Sequence, residues 1–133
     1  MIDDIDLNKA ATIRRCLQRI SEEYRDDPSR LDDFTIQDSI VLNILRACEA
    51  AIDLAMHRVA LGRLGIPQTS RDAFELLAQN AIISQAGATA MKHMVGFRNI
   101  AVHNYQNIQT PVLHAILKKH LADFETFLKE LSL

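Results

Sequence analysis

The sequence predicts an all-α fold, an antiparallel helical bundle of about five helices forming one domain over residues 1–133. Three observations predict it. Almost half of the chain is apolar (48%), with Ala, Leu and Ile dominant and aromatic residues few (5%). Glycine (4) and proline (3) are sparse. No run of β-branched residues alternates with polar ones, as a half-buried strand requires, whereas apolar residues recur every three or four positions.

The first helix is expected from about Asp6 to Tyr24, with Leu7, Ala10, Ala11, Ile13, Leu17 and Ile20 facing inward; Asp26-Asp27-Pro28-Ser29 ends it. The second starts near Thr35, where Thr35-Ile36-Gln37-Asp38 has capping-box spacing with Asp in the final position, and runs to about Leu64 before Gly65-Ile66-Pro67. Two apolar stripes mark it: Ile40, Ile44, Ala47, Ala51 and Ala55, and Val41, Leu45, Cys48, Ile52, Met56 and Val59. A helix apolar over so wide an arc is central, or shared between subunits. A third helix is expected over about Arg71–Ile83 with Ser70 as N-cap, and a fourth from about Gln85 to His103 or beyond. The fifth begins at Thr110-Pro111, read as N-cap and first helical residue, and ends near Leu131. Its inward residues are Leu113, Ile116, Leu117, Leu121, Phe124, Leu128 and Leu131. The connections are short, so neighbouring helices pack antiparallel.

Composition excludes several classes. No apolar segment follows a basic start as in a secretory signal, and no apolar run approaches the ~20 residues of a membrane span. The expectation is a cytoplasmic protein without membrane association, in which Cys16 and Cys48 are buried free thiols. The net charge of −2 argues against general nucleic-acid coating but hides an asymmetry. Residues 1–53 carry twelve acids against seven Lys or Arg, while residues 76–122 carry no acid and four of the five histidines. That acid-free stretch suggests a locally positive potential suited to a phosphate-bearing ligand, although a buried helix also excludes carboxylates.

Residues 97–105, Phe-Arg-Asn-Ile-Ala-Val-His-Asn-Tyr, concentrate the chemistry. Arg98 can hold a phosphate through two parallel hydrogen bonds, and His103 can move a proton near neutral pH. Together they suffice, with neither metal nor cofactor, to cleave a phosphodiester that carries its own nucleophile, as RNA does in its 2′-hydroxyl. Arg98 would stabilise the pentacoordinate transition state and His103 would act as general acid or base. Tyr105 could hydrogen-bond the phosphate, and Asn99, four residues before His103, could set the imidazole tautomer. On an ideal helix, however, Arg98 and His103 point about 140° apart. Their meeting requires a long reach by the guanidinium, a deformed helix end, or a second subunit. On residue types alone, an Arg and a His satisfied by backbone carbonyls at a helix end is the simpler reading.

A second polar stripe, Arg46, Glu49, Asp53 and His57, lies on the long helix. Asp53 and His57 are expected to pair at i,i+4, in a buried or interfacial network or in the same cleft as Arg98. Two ligands do not make a zinc site, so no metal is expected there. His93, His114 and His120 read as surface or boundary residues. Glycine-rich phosphate loops, Cys-x-x-Cys, nucleophile elbows and His-Glu-x-x-His are absent from the sequence.

The stretch Met94-Val-Gly-Phe-Arg98-Asn-Ile-Ala-Val-His103-Asn-Tyr105 resembles the Arg-x4-6-His signature of HEPN-domain ribonucleases, in the Arg-x4-His-x-Tyr form of the HepT toxins. Leu31–Ser39, Ala50–His57 and Leu64–Pro67 resemble further segments of that family, in the same order. The resemblance implies an HEPN-like homodimeric helical toxin that cleaves RNA without metal, with Arg98 and His103 catalytic. It also implies a partner, an MNT-type nucleotidyltransferase antitoxin able to transfer AMP to Tyr105. Asp38, Asp53 and His57 are carried only as cleft residues. The competing reading is a non-catalytic, nucleotide-binding helical companion subunit of a nucleotidyltransferase.

Overall fold

The computed structural model describes residues 2–133. Six α-helices follow one another: α1 (Asp4–Tyr24), α2 (Phe34–Gly62), α3 (Ser70–Gln79), α4 (Gln85–His103), α5 (Thr110–Ala115) and α6 (Leu121–Glu130). One π-helical turn, Ile116–His120, joins α5 to α6, so these two occupy the place of the expected fifth helix. Short 3-10 turns cover Pro28–Asp32 and Tyr105–Asn107. There is no strand among the described residues, as the sequence predicts.

Side-chain partners fix the directions. Residues near the start of α1 bond to the second half of α2: Asp3 to His57, Asp6 to Arg58, Lys9 to Asp53. The two helices therefore run antiparallel. Ser70, opening α3, meets Arg98 late in α4, and Glu130, closing α6, bonds Ser84 at the start of α4. These pairs are antiparallel too. Both stripes of α2 face inward, with Ile40, Ile44, Ala47, Ala51 and Ala55 fully buried and only Leu45 and Met56 half-buried in the second stripe. α2 is thus the central helix, packed against α1, α3 and α4. Phe74 and Phe127 meet edge to face, ring centroids 5.4 Å apart, and close the core between α3 and α6. Each such buried side chain contributes about 1.5–3 kcal/mol by removal from water.

The starts of α2, α3 and α5 each differ from expectation by one residue, where several caps compete, and α3 ends four residues earlier than expected. Asp33, not Thr35, caps α2, accepting from the Thr35 and Ile36 N–H groups, so no Thr35–Asp38 box forms. Thr69 caps α3, and Ser70 is its first helical residue. Gln109 precedes α5 without a side-chain cap bond, and Thr110 is helical. α3 stops at Gln79 because Ala81 turns left-handed (φ 58°) and the Ile82 N–H closes on the Leu77 carbonyl at 2.9 Å, a Schellman ending that makes Ile83 part of a loop. On α1, Leu7 and Ala11 face solvent, and Asp6 takes an inward position with its carboxylate held by Arg58. Both cysteines are buried and free. No helix of the structure is long and apolar enough to cross a membrane.

Candidate active site

The motif sits on the last two turns of α4 and the 3-10 turn after it. α4 stays α-helical through His103, whose successor Asn104 leaves helical geometry (φ −156°, ψ 60°). The helix end therefore does not deform early enough to swing His103 toward Arg98. The Arg98 guanidinium turns the other way, toward α2 and α3. Its Nη2 donates to Ser70 Oγ at 3.0 Å, and its Nε lies 3.4 Å from Glu49 Oε1. That separation suits charge pairing, but the bond is misaligned, and the buried Nε is left without an acceptor. The guanidinium is nonetheless partly exposed where Arg98 lines a cleft, and there it can pair with an anionic oxygen.

Thr69, Ser70, Arg71, Val95, Arg98 and Asn99 line this cleft, of about 280 Å³. His103 is exposed at the end of the same helix and does not line it. Among the described residues, no hydrogen bond joins His103 to Arg98 or to Asn99, so the expected tautomer-setting bond from Asn99 is not made. Two of the three routes to convergence are thereby closed within one copy.

Tyr105 departs from expectation as well. An α4 continued by two residues would align it with Arg98; instead the 3-10 turn carries its hydroxyl to Asp38 Oδ1 on α2, to which it donates. Burial, then the bond and charge of Asp38, push the phenol up to about 12. Tyr105 lines a separate cleft of about 440 Å³ with Phe34, Gln37, Asp38, Val41, Gln106, Ile108 and Thr110. Phe34 stands 76% exposed at its rim.

The stripe on α2 divides. Glu49 reaches Arg98, whereas Asp53 pairs with Lys9 at 3.0 Å and His57 Nε2 meets Asp3 Oδ2 at 2.6 Å. Asp53 and His57 are therefore not each other's partners, and both are engaged with α1 rather than with the Arg98 cleft. Asp3, Asp6 and His57 bring ligand atoms within 4.8 Å of one another. Each carboxylate there is already committed. Asp3 caps α1 and holds His57, while Asp6 accepts the Asp3 N–H and the Arg58 guanidinium. A resident arginine and a closed capping box make this a structural polar network.

The acid-free stretch is likewise acid-free only along the chain. In space, α2 sets Glu49 against Arg98 and Asp38 against Tyr105. Ser70 and Glu49 are site residues whose role the sequence does not reveal; the pattern around Ser70 indicates only a helix cap, which Thr69 supplies.

The family model for ribonuclease HepT-like proteins matches residues 9–131. The chain belongs to the HepT-like ribonuclease family. It is 50% identical over 127 residues to the mRNA nuclease HepT of Shewanella oneidensis, covering 96% of both chains. Its backbone resembles the tri-AMPylated Shewanella oneidensis HEPN toxin solved in complex with an MNT antitoxin (TM-score 0.93, 48% identity, 98% of each chain covered). It is equally similar to a toxin–antitoxin crystal structure with AMP-PNP (TM-score 0.93, 48% identity, 98% of each). The all-α HEPN-like reading of the sequence stands on these similarities and on the fold itself.

Proposed function

We propose that this HepT-like chain is the toxin of a toxin–antitoxin pair. It is an endoribonuclease whose Arg98 and His103 act together across a homodimer, and whose MNT-type nucleotidyltransferase antitoxin silences it by transferring AMP to Tyr105. One observation carries the reading: Arg98, its side chain 20% exposed, lines the cleft between α3 and α4, while His103 stands exposed on the same helix and does not line that cleft. A phosphate gripped by Arg98 cannot then be served by the His103 of the same copy. A two-fold arrangement apposing two α4 ends supplies the His103 of a second copy to each Arg98. Ile100 (44% exposed) and Val102 (50%) lie between the two on α4 and suit burial in such a contact.

The chemistry follows from the groups present. A 2′-hydroxyl attacks the adjacent phosphorus, Arg98 neutralises the growing negative charge, and His103 takes the hydroxyl proton or protonates the departing 5′-oxygen. The products are a 2′,3′-cyclic phosphate and a 5′-hydroxyl. No step calls for a metal. AMP transfer from a nucleoside triphosphate, with release of pyrophosphate, replaces the phenolic O–H by an O–P bond, so Tyr105 can no longer donate to Asp38 and its new phosphodiester repels that carboxylate. The modified side chain swings away, carrying anionic charge and an adenosine to the mouth of the site two residues beyond His103.

The test is induction of the isolated chain in bacteria, scoring growth and RNA integrity beside Arg98→Ala and His103→Ala, with cleavage repeated in chelator. Toxicity and cleavage lost in both variants and indifferent to chelator support the reading. A chain harmless in every form, with unbroken RNA, favours the companion-subunit alternative. Mass measurement after co-expression with the antitoxin is expected to find AMP on Tyr105, and none on a Tyr105→Phe chain.

A further inference from the structure

A second cleft, outside the motif, lies between α1 and α2. Thr12, Arg15, Cys16 and Arg19 fall on one face of α1, Arg15 and Cys16 three and four residues after Thr12 and Arg19 four and three after them; Asn43 and Arg46 face them from α2. The cleft measures about 280 Å³ and is open to solvent. Its floor is the buried Cys16 and Asn43, and its rim is three exposed guanidinium groups. Among the described residues, none of Arg15, Arg19 and Arg46 has a carboxylate within ion-pair distance. The other arginines within α1 and α2, Arg14 and Arg58, each have one. Three unpaired arginines gathered at one concavity, in a chain of net charge −2, form a site for an anion with several oxygens.

Position points to what the anion is. Arg15 and Arg19 are separated by about 6 Å along α1, comparable with the step between neighbouring phosphates of a nucleic-acid strand. Arg46 and Glu49 are three residues apart and so adjacent on the surface of α2. Glu49 in turn touches Arg98. A strand lying in the arginine cleft and crossing α2 thus arrives at the catalytic guanidinium. Asn43 donates its amide to the Ser39 carbonyl at 2.9 Å, which leaves its side-chain oxygen to accept from an outside donor such as a 2′-hydroxyl.

We propose that Arg15, Arg19 and Arg46 form a phosphate-binding site that grips the backbone of the RNA substrate next to the catalytic motif. The proposal rests on the ribonuclease reading above and adds substrate positioning to it. The site reads charge and strand path, so it raises affinity for single-stranded RNA without selecting bases.

The test measures binding of a fluorescent single-stranded RNA to the otherwise intact His103→Ala chain, with and without Arg15→Gln, Arg19→Gln and Arg46→Gln together, over a salt series. The triple variant is expected to bind at least about tenfold more weakly at low salt, with its log–log salt slope flattened by about two, from three lost phosphate contacts at ~0.7 each. The matching triple Lys variant keeps most of the slope and guards against a folding artefact. Inorganic phosphate is expected to compete only weakly, because a single phosphate spans one guanidinium; competition as strong as that of RNA would mean an isolated anion pocket and overturn the proposal. In the cleavage-competent chain, the triple Gln substitution raises KM and leaves kcat unchanged. Equal affinity and equal slope overturn the proposal. So does unchanged RNA binding with an altered assembly mass, alone or with the antitoxin, which would make the cleft a protein interface. Cleavage by the parent chain alongside such a result leaves the ribonuclease reading standing; a parent chain that cleaves no RNA removes both.

Discussion

Arg58→Ala is expected to be among the most destabilising single changes outside the apolar core. Asp6 is fully buried on α1, and Arg58 Nε donates to its Oδ1 at 2.7 Å. Arg58 also ties in the chain end, its Nη2 donating to the Leu131 carbonyl at 3.2 Å. Without the guanidinium, the buried Asp6 carboxylate keeps only the Asp3 N–H, at 2.9 Å, as a protein partner. Leaving one member of a buried ion pair unpartnered costs about 3–5 kcal/mol. A chain of 133 residues unfolds with an entropy of about 0.28 kcal/mol per kelvin, so the melting temperature should fall by about 11–18 °C. Thermal unfolding at fixed protein concentration measures it, the fixed concentration removing any mass-action contribution from self-association. The double variant Asp6→Leu with Arg58→Met, which replaces the pair by apolar groups, should regain most of the loss. A shift under about 3 °C for Arg58→Ala, well below the range expected for an orphaned buried charge, would refute the reasoning. A double variant as unstable as the single would do the same.

Further outcomes concern the site, alkaline stability and the loop after α2. Arg98→Lys should lose about 10²–10³ in cleavage rate despite keeping its charge, since an ammonium cannot present two parallel donors; steady-state rates on a short RNA decide it. Burial, and secondarily Glu49, push the Cys48 thiol up from 9.0 to about 12, where it donates to the Met94 carbonyl at 3.6 Å. The unfolded chain therefore ionises first as pH rises. Stability intact below about pH 9 should decline toward pH 12 by up to ~4 kcal/mol, and denaturant titrations of Cys48→Ala should show a shallower decline. Gly65 sits at φ +137°, and an added Cβ would come within 3.2 Å of the Leu76 side chain. Gly65→Ala should cost about 1–3 kcal/mol in urea unfolding.

Much of the fold is written locally. The ends of α2 and α4 follow from Gly65-Ile66-Pro67 and from the polar Asn104-Tyr105-Gln106-Asn107 stretch, and the double stripe of α2 announces a helix packed on several sides. What is not local is less legible. Asp6 displaces Leu7 from the inward face of α1 because a guanidinium 52 residues away neutralises it, and nothing within α1 says so. Asp53 and His57 have the spacing of a helical pair, yet each finds a closer partner on α1, Lys9 and Asp3. Spacing tells which side chains can meet on one helix; it does not tell which neighbouring helix outbids that pairing. The angular divergence of Arg98 and His103, by contrast, follows from helix arithmetic alone, and α4 preserves it to its last residue.

Subunit complementation bears most directly on the nuclease site. Chains carrying Arg98→Ala and His103→Ala, each inactive by itself, are mixed in equal amounts and allowed to exchange subunits before RNA is added. If each site draws its arginine from one copy and its histidine from the other, half of the dimers gain one intact site, and cleavage returns to about a quarter of the parent level. Confirmed exchange with no return of cleavage would place both groups in one copy and contradict the account.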